Sequence, residues 1–105
     1  MGKEVLGPLA DLPSGTAKRY DVAGHRIAVV RLDDAVYALG DRCSHADVSL
    51  GEGDVNADDR TLECWKHGSE FDLETGEALT LPATRPVPTY EARVEGDEIV
   101  VVIDD

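Results

Sequence analysis

The chain has 105 residues, 42% apolar and 30% charged, which gives one domain with a modest core and leaves no length for an additional catalytic domain. No run approaches the roughly 18 apolar residues of a membrane span. Its 22 acidic residues against 10 basic ones leave a net charge of −12. That field argues against nucleic acid and anionic membranes as partners, because both are bound through Lys and Arg contacts to phosphate. It favours encounter with proteins that carry a basic patch, or else serves solubility alone.

The N-terminus has no apolar h-region, and Glu4 and Asp11 spoil a transit peptide, so the expected location is cytoplasmic. Short apolar runs follow, rich in Val, Ile and Leu and punctuated by Gly and Pro. Val5–Leu9 and Lys18–Val22 read as strands. Arg26–Leu32 is a third, set off by turns at Ala23-Gly24 and Asp33-Asp34, with Val36–Leu39 as its return strand. Near the C-terminus, Tyr90–Val94 and Glu98–Ile103 flank Glu95-Gly96-Asp97, a hairpin signal. No stretch holds a capped 3.6-residue period; Ala46–Leu50 supports one helical turn at most. The pattern predicts an all-β fold, a small antiparallel sandwich or barrel over residues 1–105. The segment from about 40 to 82 has fewer strand formers, more Gly and Asp, and both cysteines, and reads as an insertion on that scaffold.

Within the insertion, Cys43-Ser44-His45 and Cys64-Trp65-Lys66-His67 form C-x-H and C-x-x-H elements, with 18 residues between His45 and Cys64. They hold both cysteines and two of the three histidines. Each can present a thiolate and an imidazole from one tight loop, giving four metal ligands in all. The alternative is that these are unliganded core residues. Two sulfur and two nitrogen donors suit zinc as well as iron–sulfur. His25, beside the Gly24 turn, reads as a surface residue.

The two elements resemble the Rieske motif. After them come His67-Gly68-Ser69-Glu70-Phe71-Asp72, then Thr75-Gly76 and Leu81-Pro82-Ala83, similar to H-G-x-x-F-D, T-G and P-A in order and spacing. The resemblance implies a Rieske-like fold with one [2Fe–2S] cluster per chain, Cys43 and Cys64 on one iron and His45 and His67 on the other. Residues 43–50 are most similar to the small ferredoxins of ring-hydroxylating dioxygenases.

Replacing two thiolates by neutral imidazoles removes two negative charges, which is why Rieske potentials span about −150 to +300 mV, above plant-type ferredoxins. High-potential relatives carry a second cysteine in each loop, forming a disulfide, and a Tyr that donates to a cysteine sulfur. Val48, Lys66 and Phe71 stand at those positions here. Ser69 matches a serine that bonds a bridging sulfide. The resemblance therefore implies a potential near the low end, on the order of −150 to 0 mV, falling at alkaline pH as the histidine ligands lose protons.

Trp65 departs from the Pro found in many relatives and is a candidate for shielding the cluster or for docking, against local packing. Gly68 belongs to the ligand loop, and Pro82 is expected to cover the cluster. The implied role is a non-enzymatic electron carrier, a monomer that takes electrons from a flavoprotein reductase and passes them to a terminal oxygenase. The alternatives are an accessory protein of iron–sulfur assembly, the small subunit of a nitrite-reductase-like complex, and a zinc-stabilised module.

Overall fold

The computed structural model describes residues 2–42, 48–66, 68–80 and 85–103. Among these are nine strands: β1 (Gly2–Pro8), β2 (Thr16–Val22), β3 (His25–Leu32), β4 (Ala35–Gly40), β5 (Asp54–Asn56), β6 (Thr61–Glu63), β7 (Glu70–Asp72), β8 (Thr89–Glu95) and β9 (Glu98–Ile103). Six form an antiparallel sheet in the order β1-β9-β8-β4-β3-β2, and β5-β6-β7 form a second, small antiparallel sheet. The fold is all-β, as the apolar pattern predicts.

The hairpins follow from their turns. Val22 pairs with His25, leaving Ala23-Gly24 as a two-residue turn with φ of 51° and 80°. That conformation suits Gly and matches the twist of the flanking strands. Glu95 pairs with Glu98, so the turn is Gly96-Asp97, with Gly96 at φ 63°.

The large sheet curls. Ile27 and Val29 on β3 share a core cluster with Ile99, Val101 and Ile103 on β9. Those strands are three places apart in the sheet order, roughly 14 Å if the sheet were flat. Contact between their side chains requires the sheet to bend back on itself. The opposite face of β3, Ala28 and Val30, packs with Leu39, Leu50, Leu62, Cys64, Phe71, Leu73 and Val87. Strand β3 is therefore buried on both faces, which accounts for the unbroken apolar run Ile27–Val30 where a one-sided strand would alternate.

The chain leaves the large sheet at Gly40 and rejoins it at Thr89. The three short strands between were not expected. The helical turn lies at Leu50–Glu52, C-terminal to most of the expected 46–50 turn, because Ser49 is extended and bridges Arg42. His25 is half-buried rather than a surface group: its Nδ1 lies 3.2 Å from the Tyr90 hydroxyl, with the rings edge to face.

Candidate metal centre

Two hairpin necks carry the expected ligand loops. The first is closed by the antiparallel bridge between Arg42 and Ser49 and is anchored by Asp41. The Asp41 amide donates to the Arg26 carbonyl at 3.0 Å, and its carbonyl accepts from the Leu50 amide at 2.6 Å. Its carboxylate, buried with the residue 2% exposed, accepts from Ser49 Oγ at 2.8 Å and from the Gly51 amide at 2.9 Å, both on Oδ1. Arg19 Nε lies 3.8 Å from Oδ2. A buried carboxylate is tolerated only when such donors replace its water. Sequence reasoning missed Asp41; its one signal was an acid directly before Arg42-Cys43.

The second loop grows from the β6–β7 hairpin, where Glu63 pairs with Glu70. The Cys64 amide donates to the Ser69 carbonyl at 2.7 Å, and the Cys64 carbonyl accepts from the Gly68 amide at 2.9 Å. Gly68 has φ +75°, the left-handed conformation that closes a tight turn at least cost with glycine. Below the loop, Glu70 Oε1 accepts from Asn56 Nδ2 at 2.9 Å and Thr61 Oγ1 at 2.8 Å, tying β5, β6 and β7 together.

The Asp72-Leu73-Glu74-Thr75-Gly76 segment then reverses the chain. Asp72 Oδ1 accepts from the amides of Glu74 and Thr75 at 2.8 and 3.0 Å, and the Gly76 amide donates to the Asp72 carbonyl at 2.8 Å. Gly76 has φ +77°, and a Cβ there would strike the Val87 carbonyl oxygen. After the reversal, Ala78 bridges Phe71, and Thr80 Oγ1 accepts from the Glu70 amide at 2.8 Å and lies 3.5 Å from the Gly68 carbonyl. The approach to residues 81–84 thus runs beside the second loop.

Of the sequence-predicted site residues, Cys64, Trp65, Gly68, Ser69 and Phe71 are described. Cys43, His45, His67 and Pro82 lie outside the described residues. Cys64 is a free thiol in the core cluster shared with Phe71, and Ser69 and Phe71 have no exposed surface. Trp65 is 52% exposed. It lines one groove with Arg42, Val48 and Ser49, so the two loop necks stand side by side.

This arrangement fits an iron–sulfur cluster. Cys64 is unpaired, dry and held by backbone hydrogen bonds, as a thiolate ligand requires. Its loop adjoins the neck of the loop that carries the other C-x-H element.

Comparison with known proteins shows the family. The model of the Rieske [2Fe-2S] domain matches residues 3–91. The 3-phenylpropionate/cinnamic acid dioxygenase ferredoxin subunit of Escherichia coli (strain K12) is 46% identical over 94 residues, 90% of this chain and 87% of that one. The ferredoxin of carbazole 1,9a-dioxygenase from Nocardioides aromaticivorans IC177 superposes with a TM-score of 0.94 at 36% identity, over 99% of this chain and 100% of that one. A chain from a complex of reduced oxygenase and oxidized ferredoxin in carbazole 1,9a-dioxygenase superposes with a TM-score of 0.84 at 33% identity, over 94% of this chain and 91% of that one.

Proposed function

Because the chain belongs to the Rieske [2Fe–2S] family, we propose that it is the ferredoxin subunit of a ring-hydroxylating dioxygenase, carrying single electrons to the terminal oxygenase. The observation that carries this reading is the 46% identity to a dioxygenase ferredoxin subunit over 90% of the chain. Both hairpin necks needed to present the ligands lie within that span.

When bound, the cluster supplies a one-electron couple tuned by its two imidazole ligands. Cys43 and Cys64 would hold one iron and His45 and His67 the other. The chain's own work is positional. Asp41 locks the neck of the first loop, the Cys64–Ser69 and Gly68–Cys64 backbone hydrogen bonds lock the second, and Leu50, Leu62 and Phe71 keep water from the buried side of Cys64. Rigid ligands of this kind minimise the rearrangement that accompanies gain or loss of an electron.

Electrons arrive from a flavoprotein reductase, which suits a potential at the low end of the Rieske range. The protein works in the cytoplasm as a monomeric single domain over residues 1–105, with about 40–82 as its cluster-binding part. No helix among the described residues is long and apolar enough to cross a membrane.

The test is iron and sulfide analysis of the purified protein, with an absorption spectrum and EPR after dithionite reduction. The expected result is two irons per chain and the low average g-value of a Rieske centre. A colourless, EPR-silent protein containing zinc overturns the reading.

A further inference from the structure

We propose that the groove between Trp65 and the neck of the first ligand loop seats a carboxylate-bearing segment of the electron-accepting partner protein. This inference rests on the ferredoxin role proposed above and adds the chemistry by which that partner is recognised.

The groove measures about 350 Å³ and is lined by Arg19, Arg26, Arg42, Val48, Glu52 and Trp65, among others. Three of the ten basic residues of the chain therefore line one groove, in a molecule with 22 acidic residues. The acid beneath them is already committed: Asp41 is buried and its Oδ1 is occupied by Ser49 and Gly51. Arg19 is held by Asp21, with Nε to Oδ1 at 3.1 Å. Arg26 has no ion-pair partner among the described residues. Among the described residues of the lining, three guanidinium groups stand against Glu52, the one exposed acid.

Range decides which field an approaching segment meets. Screening limits exposed charges to about 8 Å at physiological ionic strength. A side chain entering the groove is governed by the nearby guanidinium groups rather than by the net charge of −12. Trp65 adds the anchor. It is the single Trp of the chain and remains 52% exposed, although burying such a side chain is strongly favourable. Tryptophan and arginine together are the residue types that dominate binding energy at protein interfaces. The indole N–H and the guanidinium groups are all donors, and a carboxylate is the acceptor that matches them. Position agrees as well: Trp65 follows Cys64 directly, and Arg42 precedes Cys43, so a segment seated here lies at the necks of both ligand loops.

The tryptophan is also the reporter. Holo-protein is titrated with hexaglutamate and, separately, with hexalysine at low ionic strength, while Trp fluorescence is followed. The expected result is a saturable change with hexaglutamate that fades as salt is raised, and none with hexalysine. Arg26→Glu, which leaves the backbone contact of Arg26 with Asp41 intact, should weaken binding by about tenfold or more. Arg93→Glu, on β8 and outside the groove, makes the same charge change and should leave binding unaltered. No response in the wild type, or equal weakening by both substitutions, overturns the proposal. The EPR spectrum of each sample keeps the two questions apart: a protein without the Rieske signal that still binds hexaglutamate refutes the ferredoxin role and not the groove.

Discussion

The carboxylate of Asp41 and the hydroxyl of Ser49 meet at 2.8 Å across the neck of the first ligand loop, eight residues apart in sequence. The same Oδ1 takes the Gly51 amide at 2.9 Å, so one atom holds both the neck and the turn that follows it. Asp41→Ala leaves two half-buried donors without their acceptor and should cost about 1–3 kcal/mol of stability. Asp41→Asn keeps Oδ1 and gives up only the 3.8 Å approach of Arg19, so it should restore most of that loss. Urea unfolding of both variants, with cluster content measured alongside, checks this. Equal damage from Ala and Asn means that the charge, not the acceptor, is what matters.

Two glycines with nearly the same backbone should respond differently to alanine. Gly68 has φ +75° with open space where a Cβ would stand. Gly68→Ala should therefore cost only the left-handed strain, about 1–2 kcal/mol. Gly76 has φ +77°, but its Cβ would meet the Val87 carbonyl oxygen. Because Val87 also donates its amide to the Gly76 carbonyl at 2.9 Å, the two chains have little freedom to separate. Gly76→Ala should cost about 3 kcal/mol or more. Thermal unfolding of the pair decides; equal losses would mean that the contact at Gly76 relaxes.

The six long strands were legible because their signal is local. Ile27–Val30 is an apolar run between turns, and Ala23-Gly24 states its hairpin in two residues. The small sheet was not legible, since Thr61–Glu63 and Glu70–Asp72 are three residues each and contain acids. Their pairing depends on Asn56 and Thr61 reaching Glu70 across the fold, which no periodicity records. Among the site residues, Cys64 and His67 stood out through spacing. Asp41 did not, because its burial is a property of Ser49 and Gly51 rather than of its own neighbourhood in sequence.

Glu95 couples β1 to β8 across β9. Lys3 Nζ donates to its Oε1 at 3.1 Å and Arg93 Nε to its Oε2 at 2.6 Å. The Lys3 hydrogen bond first, then that of Arg93, holds the carboxyl below its ordinary range. A carboxyl depressed in the folded state contributes stability above its unfolded pKa and loses it as pH falls through the folded one. Glu95→Gln should thus unfold earlier than wild type near neutrality, and the gap should close in acid. The group is exposed, so the effect is small and should shrink in high salt. Melting curves across the acid range test this; a gap that widens on acidification refutes it.

Phe71 is fully buried in the cluster that contains Cys64, on the strand that follows the second loop. Phe71→Tyr places a hydroxyl donor in that dry environment. Hydrogen bonds to ligand sulfur stabilise the reduced, more negative state, so the potential should rise. Voltammetry of the holo-protein measures it, with the EPR spectrum confirming an intact centre. An unchanged potential in a correctly folded variant would show that the hydroxyl points away from the sulfur.

The ligand set is tested by substitutions that spare the scaffold. Cys64→Ser changes one atom, and the backbone bonds from Cys64 to Ser69 and Gly68 do not involve the side chain, so the second hairpin should persist. A serine oxygen is a poor substitute for thiolate on iron, and most of the cluster should be lost. His67→Cys replaces a neutral donor by an anionic one. Any centre that still assembles should have a lower potential and no longer give the Rieske EPR signal, since the second imidazole is what raises the potential above that of four-cysteine clusters. Iron content, EPR and circular dichroism together read the outcome. Full cluster content with an unaltered spectrum in both variants would place the ligands elsewhere in the chain.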